Sequence, residues 1–459
     1  MSDLSINKKH ARLGEITDLI QYGYTAKSAA DTKGPKYLRI TDIQNDNVDW
    51  TRVPHVTLDA DDFERYRLVA GDIVFARTGA TVGKSFLIRD DPGEAVFASY
   101  LIRVRCTPCQ FDPRYAALFF QSEDYWRQIR EGAAGTGQPN FNGTKLGGLV
   151  VPLRPLSEQR QIVSTLSSLF AHSKNAREEL SRIPRLVERY KHAILGTAFR
   201  GQLTGDWRAS HPDVVFSPSA STSQTLPHGR KRRDHAPPPT FDPPYKVPPS
   251  WLWTPLSKLG ALDRGRSRHR PRNDAKLYGG PYPFVQTGDI KAALGRLTTF
   301  TQTYSEAGLA QSRLWPKGTL CITIAANIAE TAILGIDACF PDSIVGFIPN
   351  EQICNPLFLE FFIRTVKADL AAFAPATAQK NINLETLRVL HIPCPPLIEQ
   401  RQIVERIEAA FKHIDQTARE ASRATQLLDH LDQATLAKAF RGELVKRDEM
   451  GETEMAVSQ

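Results

Sequence analysis

Apolar side chains recur at alternating steps of four and three along two stretches of the chain. The first stretch comprises Ile162, Leu166, Leu169, Ser173, Ala176, Leu180, Ile183, Val187, Tyr190 and Ile194. The second repeats it 241 positions later as Ile403, Ile407, Ala410, Ile414, Thr417, Ala421, Ala424, Leu428, Leu431 and Thr435. Such an alternation, held over four heptads, lays one apolar seam along a helix and predicts two long helices packed as a coiled coil. The ends match as well. Pro155-Leu-Ser-Glu-Gln-Arg-Gln-Ile-Val163 and Pro396-Leu-Ile-Glu-Gln-Arg-Gln-Ile-Val404 share eight of nine residues, and Ala198-Phe-Arg-Gly201 returns as Ala439-Phe-Arg-Gly442 at the same offset. Gly201 and Gly442 fall where a helix C-terminus takes a left-handed residue. Pro184 stands where the second copy has Thr425, and should kink or break the first helix.

The segments ahead of the two helices also echo one another. Tyr37-Leu-Arg-Ile-Thr-Asp-Ile43 is echoed by Phe284-Val-Gln-Thr-Gly-Asp-Ile290, and Gly71-Asp-Ile-Val-Phe-Ala-Arg-Thr78 by Gly318-Thr-Leu-Cys-Ile-Thr-Ile-Ala325. Asp112-Pro-Arg-Tyr115 and Asn355-Pro-Leu-Phe358 correspond, as do Thr136-Gly-Gln-Pro-Asn-Phe-Asn142 and Thr377-Ala-Gln-Lys-Asn-Ile-Asn383. Short β-branched runs broken by Gly, Asp and Asn predict strands and turns, with one helix near 113–130 and another near 356–373. The boundaries expected are a first domain over 1–154, a helical spacer over 155–205, a Pro/Ser-rich basic linker over 206–248, a second domain over 249–395, a second spacer over 396–446 and a polar tail over 447–459. The basic run Arg230-Lys-Arg-Arg233 in the linker reads as a solvated segment, with phosphate contact secondary.

Composition narrows the class. A chain of 459 residues exceeds one ordinary core, and 41% hydrophobic with 24% charged residues suits a folded soluble protein. No apolar run approaches the roughly 18 residues needed to span a bilayer, and Met1 to Arg12 is polar, so a cytoplasmic protein is expected. Cys106 and Cys109 form a C-x-x-C, but Cys321, Cys339, Cys354 and Cys394 stand singly, which completes neither a disulfide framework nor a metal site. The net charge of +8 suits a polyanionic partner without establishing one.

Three motifs invite an enzyme reading. Gly79-Ala-Thr-Val-Gly-Lys-Ser85 is one residue short of a phosphate-binding loop and is followed by a poor helix start. Asp242-Pro-Pro-Tyr245 matches the catalytic motif of amino-methyltransferases, yet no hydrophobic strand precedes it and no Gly-rich cofactor loop lies upstream. Gly132-x-x-Gly135-x-Gly137 follows a helical stretch, the wrong context for a dinucleotide fingerprint.

Taken together, the layout resembles the specificity subunit of Type I restriction–modification systems. The resemblance rests on the Pro-Leu-x-Glu-Gln-Arg-Gln-Ile-Val entry and the Ala-Phe-Arg-Gly-x-Leu exit of each helix. It is supported by Gly71 to Gly79, by the Gln-Pro-Asn-Phe-Asn run at 138–142, and by Pro248-Pro-Ser-Trp-Leu-Trp253. It implies an α+β fold: two similar mixed α/β target-recognition domains, separated by two long helices that form an antiparallel coiled coil, with pseudo-two-fold symmetry. It also implies a non-catalytic chain that binds a bipartite double-stranded DNA target. Two modification subunits would dock on the helices and methylate adenine with S-adenosylmethionine, and restriction subunits using ATP and Mg would join for cleavage. Subunit docking is expected at the helix motifs, Glu158, Gln159, Arg160, Phe199, Arg200, Gly201, Glu399, Gln400, Arg401, Phe440, Arg441 and Gly442. The rival readings are a single-chain DNA methyltransferase or restriction enzyme, and a coiled-coil scaffold without sequence-specific DNA binding. A helix of about 43 residues is roughly 65 Å long, enough to hold two readers a DNA turn or more apart.

Base reading needs donors and acceptors that fit base edges, chiefly Arg for guanine and Asn or Gln for adenine. Loop positions that differ between the two domains are the candidates. In the first domain these are Arg39, Thr41, Arg77, Thr78, Lys84, Asn140, Asn142 and Lys145. In the second they are Gln286, Thr287, Asn327, Gln379, Lys380, Asn381 and Asn383. The cluster Arg264, Arg266, Arg268, His269, Arg270 and Arg272 reads as a mobile phosphate-gripping loop, with a solvated loop as its alternative.

Overall fold

Each predicted seam forms a continuous helix, Leu156–Phe199 and Leu397–Arg441, in a computed structural model of the chain. The structure describes residues 9–26, 33–44, 46–133, 140–217, 241–269, 271–293, 295–325, 328–372 and 382–444. The chain divides into two compact units, one formed by 1–181 with 421–459 and the other by 182–420, so each unit combines one mixed domain with a stretch of both helices.

In the first unit, β1 (His10–Arg12) pairs antiparallel with β6 (Val150–Pro152), directly before the first long helix. The main sheet holds β2 (Thr17–Tyr22), β3 (Ile73–Ala76), β4 (Ser85–Leu87) and β5 (Leu101–Cys106), in the spatial order β2-β5-β3-β4 and antiparallel throughout. The central strands are buried on both faces, hence their near-continuous apolar runs. Buried Asp72 at the head of β3 accepts the forked guanidinium of Arg105 from β5 at 2.8 and 2.9 Å.

The second unit repeats the plan. β7 (Leu252–Pro255) pairs with β13 (His391–Cys394) before the second long helix. Its sheet holds β8 (Gly260–Arg264), β9 (Gly295–Leu297), β10 (Leu320–Thr323), β11 (Thr331–Leu334) and β12 (Ile344–Pro349), ordered β8-β12-β10-β11-β9, with β9 parallel to β11.

The helix expected near 113–130 is in fact two, Pro113–Phe119 and Glu123–Ala133. The Ser122 hydroxyl donates to the Phe119 carbonyl at 2.7 Å and accepts the Tyr125 N–H, which ends one helix and starts the next. The second unit keeps one helix, Pro356–Ala372.

Pro184 does not break the first long helix, which runs unbroken through it. Both exits close as predicted. Gly201 and Gly442 take φ of 76° and 79°, and the residue after each donates to the carbonyl five positions back, Gln202 to Thr197 and Glu443 to Lys438, both at 2.9 Å. This is a left-handed helix cap, which glycine adopts without the Cβ penalty.

In the first unit the helices run antiparallel. Ile162 and Leu166 share a core with Leu436, Ala439 and Phe440, and further along Ser173 and Arg177 bond Asp432 and Asp429. The simple four-three seam fails in its last third. Tyr190 and its counterpart Leu431 are 62% and 56% exposed, whereas Leu195, Ala198, Leu436 and Ala439 are buried. After Val187 and Leu428 the inward positions advance by two successive steps of four. That longer repeat tracks the 3.6-residue turn and pushes the expected seam residue outward.

Candidate nucleic-acid interface

In the first unit one end of the main sheet gathers several of the predicted readers. β3 ends at Ala76, and the backbone carbonyl of Arg77 accepts the Phe141 N–H at 2.9 Å while Thr78 bridges Asn140. The Arg77 guanidinium lies over the ring of Tyr22, 4.8 Å from its centroid. The Tyr22 hydroxyl accepts the Gly143 N–H at 2.8 Å. Arg77, Thr78, Asn140, Asn142 and Lys145 thus share one face with Tyr22, a residue that sequence reasoning missed.

Two of these side chains are already engaged. Asn142 caps the short helix Gly143–Gly147, its oxygen accepting the Lys145 N–H at 2.9 Å, and Lys145 Nζ donates to the Gly132 carbonyl at 2.7 Å. Asn142 therefore serves as a helix cap through its oxygen. Asn140 and Lys84 are exposed. Arg39 grips Asp42 through one edge of its guanidinium, at 3.0 and 2.7 Å; Thr41 is exposed in the same turn.

The second unit builds the same turn with other side chains. The Ile382 N–H donates to the Ile324 carbonyl at 3.1 Å, as Phe141 does to Arg77. Asn383 caps the helix Leu384–Arg388, accepting the Thr386 N–H at 2.7 Å, and is again a cap. Gln286 caps the helix Thr287–Ala292, and its amide donates to Gln302 at 2.6 Å; Thr287 opens that helix. Asn327, Gln379, Lys380, Asn381 and Arg270 lie outside the described residues, as does the Arg230 to Arg233 run.

The arginine cluster is more anchored than a mobile loop would be. Arg264 ends β8, Ser267 is buried, Arg266 lies 3.9 Å from Asp263, and Arg272 holds Asp342 at 2.9 and 3.1 Å. His269 meets Asp274 at 2.9 Å. These acids pair with Arg266 and Arg272, and among the described residues of the stretch Arg264 and Arg268 are exposed without a carboxylate partner.

The helix motifs turn inward. Gln159 is buried; its amide donates to the Gln110 and Arg154 carbonyls at 2.8 and 2.7 Å, and its oxygen accepts the Asp112 N–H at 2.9 Å. Gln400 repeats this with the Ile353 and Pro395 carbonyls and the Asn355 N–H. Phe440 packs edge-on to Tyr115 and Phe119, and Phe199 to Phe358 and Phe362, with centroids 5.2–5.5 Å apart. Buried Glu399 accepts from Thr204 at 2.7 Å, Arg208 at 2.5 Å and the Trp251 indole at 2.8 Å. Gln159, Phe199, Gly201, Glu399, Gln400 and Phe440 are therefore internal fastenings, in place of the expected docking surface. Glu158 is mostly covered beside Arg154, and Gly442 packs on Arg154. Arg160, Arg200, Arg401 and Arg441 are exposed, with Arg200 over Tyr245 and Arg441 paired to Glu443.

Two of the enzyme-like motifs resolve into structure, while Gly135 and Gly137 of the third lie outside the described residues. Gly79–Thr81 forms a tight turn leading into strand β4, not a helix. Tyr245 stacks edge-on with Trp253, and burial pushes its hydroxyl up to about 12. Cys106 is buried and Cys109 exposed, and among the described residues no group of three or more His, Cys, Asp or Glu side chains could hold a metal. No described helix is long and apolar enough to cross a membrane.

Comparison with known proteins agrees with this architecture. The family model for the Type I restriction modification DNA specificity domain matches residues 6–185 and 256–424. The chain is 24% identical over 451 residues to the Type I restriction enzyme EcoKI specificity subunit of Escherichia coli (strain K12), covering 95% of this chain and 88% of that protein. It is 22% identical over 403 residues to the putative type I restriction enzyme MjaX specificity subunit of Methanocaldococcus jannaschii, covering 86% and 85%. Among solved structures, the HsdS subunit from Thermoanaerobacter tengcongensis aligns with a TM-score of 0.60 at 21% identity, over 95% of this chain and 97% of that one. A chain from a study of complex assembly and conformational transition in the type I R-M system aligns at 0.69 and 21%, over 95% and 98%. With a specificity-domain match over each of its two repeats, this chain belongs to the Type I restriction–modification DNA specificity family.

Proposed function

We propose that this specificity subunit reads a split double-stranded DNA target, one half per recognition domain, and presents it to modification subunits without catalysing methylation itself. The observation that carries the reading is a repeated scaffold with unlike faces. Each unit brings a strand end and an Asn-capped turn together through the same backbone bond, Phe141 to Arg77 in one and Ile382 to Ile324 in the other. The side chains around that bond differ, as two readers of different half-sites require, because base edges specify and phosphates only position.

Docking belongs to the outward side of the helices, since Gln159, Phe199, Glu399, Gln400 and Phe440 of the motifs face inward. Leu186, Tyr190 and Ala193 are exposed on the first helix, and Leu427, Leu431 and Ala434 are exposed at the equivalent positions of the second. Two matched apolar stripes support two copies of one partner. S-adenosylmethionine would reside in the modification subunits, and ATP and Mg in restriction subunits.

The test is co-expression with the modification subunit, followed by mapping of methylated adenines across a genome. A split motif with a fixed gap supports the reading. Methylation by this chain alone overturns its non-catalytic part, and a stable complex that methylates no split motif favours a scaffold.

A further inference from the structure

The pairing registers of the two sheets identify a reading position that linear comparison hides. In the first unit Tyr22 and Phe75 flank Ile102 across the sheet; in the second Arg264 and Ile322 flank Val345. Tyr22 and Arg264 are therefore the same place in the fold. The next residue confirms the alignment. The Gly23 N–H donates to Leu101 at 3.1 Å and the Gly265 N–H to Ile344 at 2.9 Å, and a Cβ on either glycine would overlap two successive backbone carbonyls, Phe97 and Ala98 or Phe340 and Pro341. Glycine is needed because the chain crosses there against backbone. The strand end before each crossing is thus fixed in space, while its side chain is free to differ.

What differs is which strand carries an arginine. In the first unit the outer strand offers Tyr22 and the inner strand Arg77; in the second the outer strand offers Arg264 and the inner strand buried Ile324. Several other arginines of the two domains spend their forks on carboxylates, among them Arg39 on Asp42, Arg105 on Asp72 and Arg272 on Asp342. Among the described residues neither Arg77 nor Arg264 has a carboxylate partner, and Arg77 Nε is buried without any hydrogen bond. Arg77 instead lies on the Tyr22 ring, a planar support that limits rotation of the fork and leaves its donors unspent.

Resting on the split-target reading above, we propose that this strand-end position sets specificity in both domains. In the first domain Tyr22 is the positioning residue that holds Arg77 flat for a guanine edge, and in the second Arg264 reads a guanine directly.

The experiment uses the full complex with its modification subunit and maps methylated adenines for the unaltered chain, Arg77→Ala, Tyr22→Leu, Tyr22→Met, Tyr22→Phe and Arg264→Ala. Arg77→Ala should relax one base position ~10- to 100-fold. Tyr22→Leu should relax that same position ~2- to 5-fold, and Tyr22→Phe, which keeps the ring, should restore discrimination. Arg264→Ala should relax one position in the other half of the target, ~10- to 100-fold. Tyr22→Met fills the space without a ring and carries the test if Tyr22→Leu does not assemble. The inference is overturned if the Tyr22 variants or Arg264→Ala lower methylation evenly at all sites, if Tyr22→Leu relaxes a position other than that of Arg77→Ala, or if Arg264→Ala acts in the same half. An unaltered complex that methylates no split motif overturns the split-target reading itself, and this inference with it.

Discussion

Gln159 and Gln400 offer a sharp test of how each recognition domain is fastened to its helix. Each is buried, and each makes three bonds with one amide: two donated to carbonyls and one accepted from the N–H at the start of the helix Pro113–Phe119 or Pro356–Ala372. Replacement by alanine removes all three bonds and strands backbone groups away from water. A net loss of about 1 kcal/mol per bond, plus the penalty for those left unsatisfied, gives about 3–5 kcal/mol for either glutamine. Glutamate is the more telling substitution because it has the same shape. The oxygen that replaces the amide nitrogen would face both carbonyl oxygens at the distances now held by a donor, 2.7 and 2.8 Å, so Gln159→Glu should cost at least as much as Gln159→Ala despite filling the site.

The assay is urea unfolding of the full chain followed by circular dichroism, with thermal melting as a second readout. For a unit of this size about 1 kcal/mol corresponds to roughly 2–4 °C, so a loss of about 3–5 kcal/mol should lower the melting temperature of each alanine variant by roughly 6–20 °C. The sites share no partner, and the double variant should show the sum of the two losses. Losses below about 1 kcal/mol, or a glutamate variant close to the unaltered chain, would refute the latch and return these residues to a docking role.

Arg406 holds the Asp206 carboxyl down to about 2, below its ordinary range, so the stability this pair contributes is present above the unfolded value and is lost as pH falls from about 4 to about 2. Asp206→Asn should flatten that part of the melting-temperature profile, and an unchanged acid limb would sink the assignment. Pro184→Ala restores a donor inside a continuous helix and should raise stability by about 1–3 kcal/mol; a lower melting temperature would show that the proline is needed there. Leu427→Glu or Leu186→Glu should leave the free chain's melting temperature within a few degrees while weakening capture of the modification subunit at least ~10-fold in a pull-down titration, and undiminished capture would place docking elsewhere.

The helices were legible in the sequence because a repeat of identical ends and a sustained apolar period leave few alternatives. The glycine caps were legible for the same reason, since their left-handed backbone restricts the residue type. What the period did not reveal was the shift of the seam after Val187 and Leu428. Tyr190 and Leu431 are apolar and correctly spaced, yet exposed, and only the neighbours of each turn decide which step faces inward. The split at Ser122 was hidden because one hydroxyl both ends and starts a helix. The Glu-Gln-Arg-Gln motif was visible as a repeat, but repetition alone does not say whether its partner is another subunit or the chain's own backbone.

That ambiguity explains where sequence reasoning about the site succeeded and failed. Residues whose partners lie within a unit repeat closely, because both copies must satisfy the same buried groups: Gln159 and Gln400 meet equivalent backbone atoms, and Phe199 and Phe440 meet equivalent aromatic pairs. Asn142 and Asn383 belong to this class, and their identity across the repeats marks them as caps. A residue that reads a half-site has its partner outside the chain, and two different half-sites impose two different residues. Such positions are recognised by a fixed backbone carrying unlike side chains, which is why Tyr22 and Arg264 became comparable only once the strand registers had aligned them.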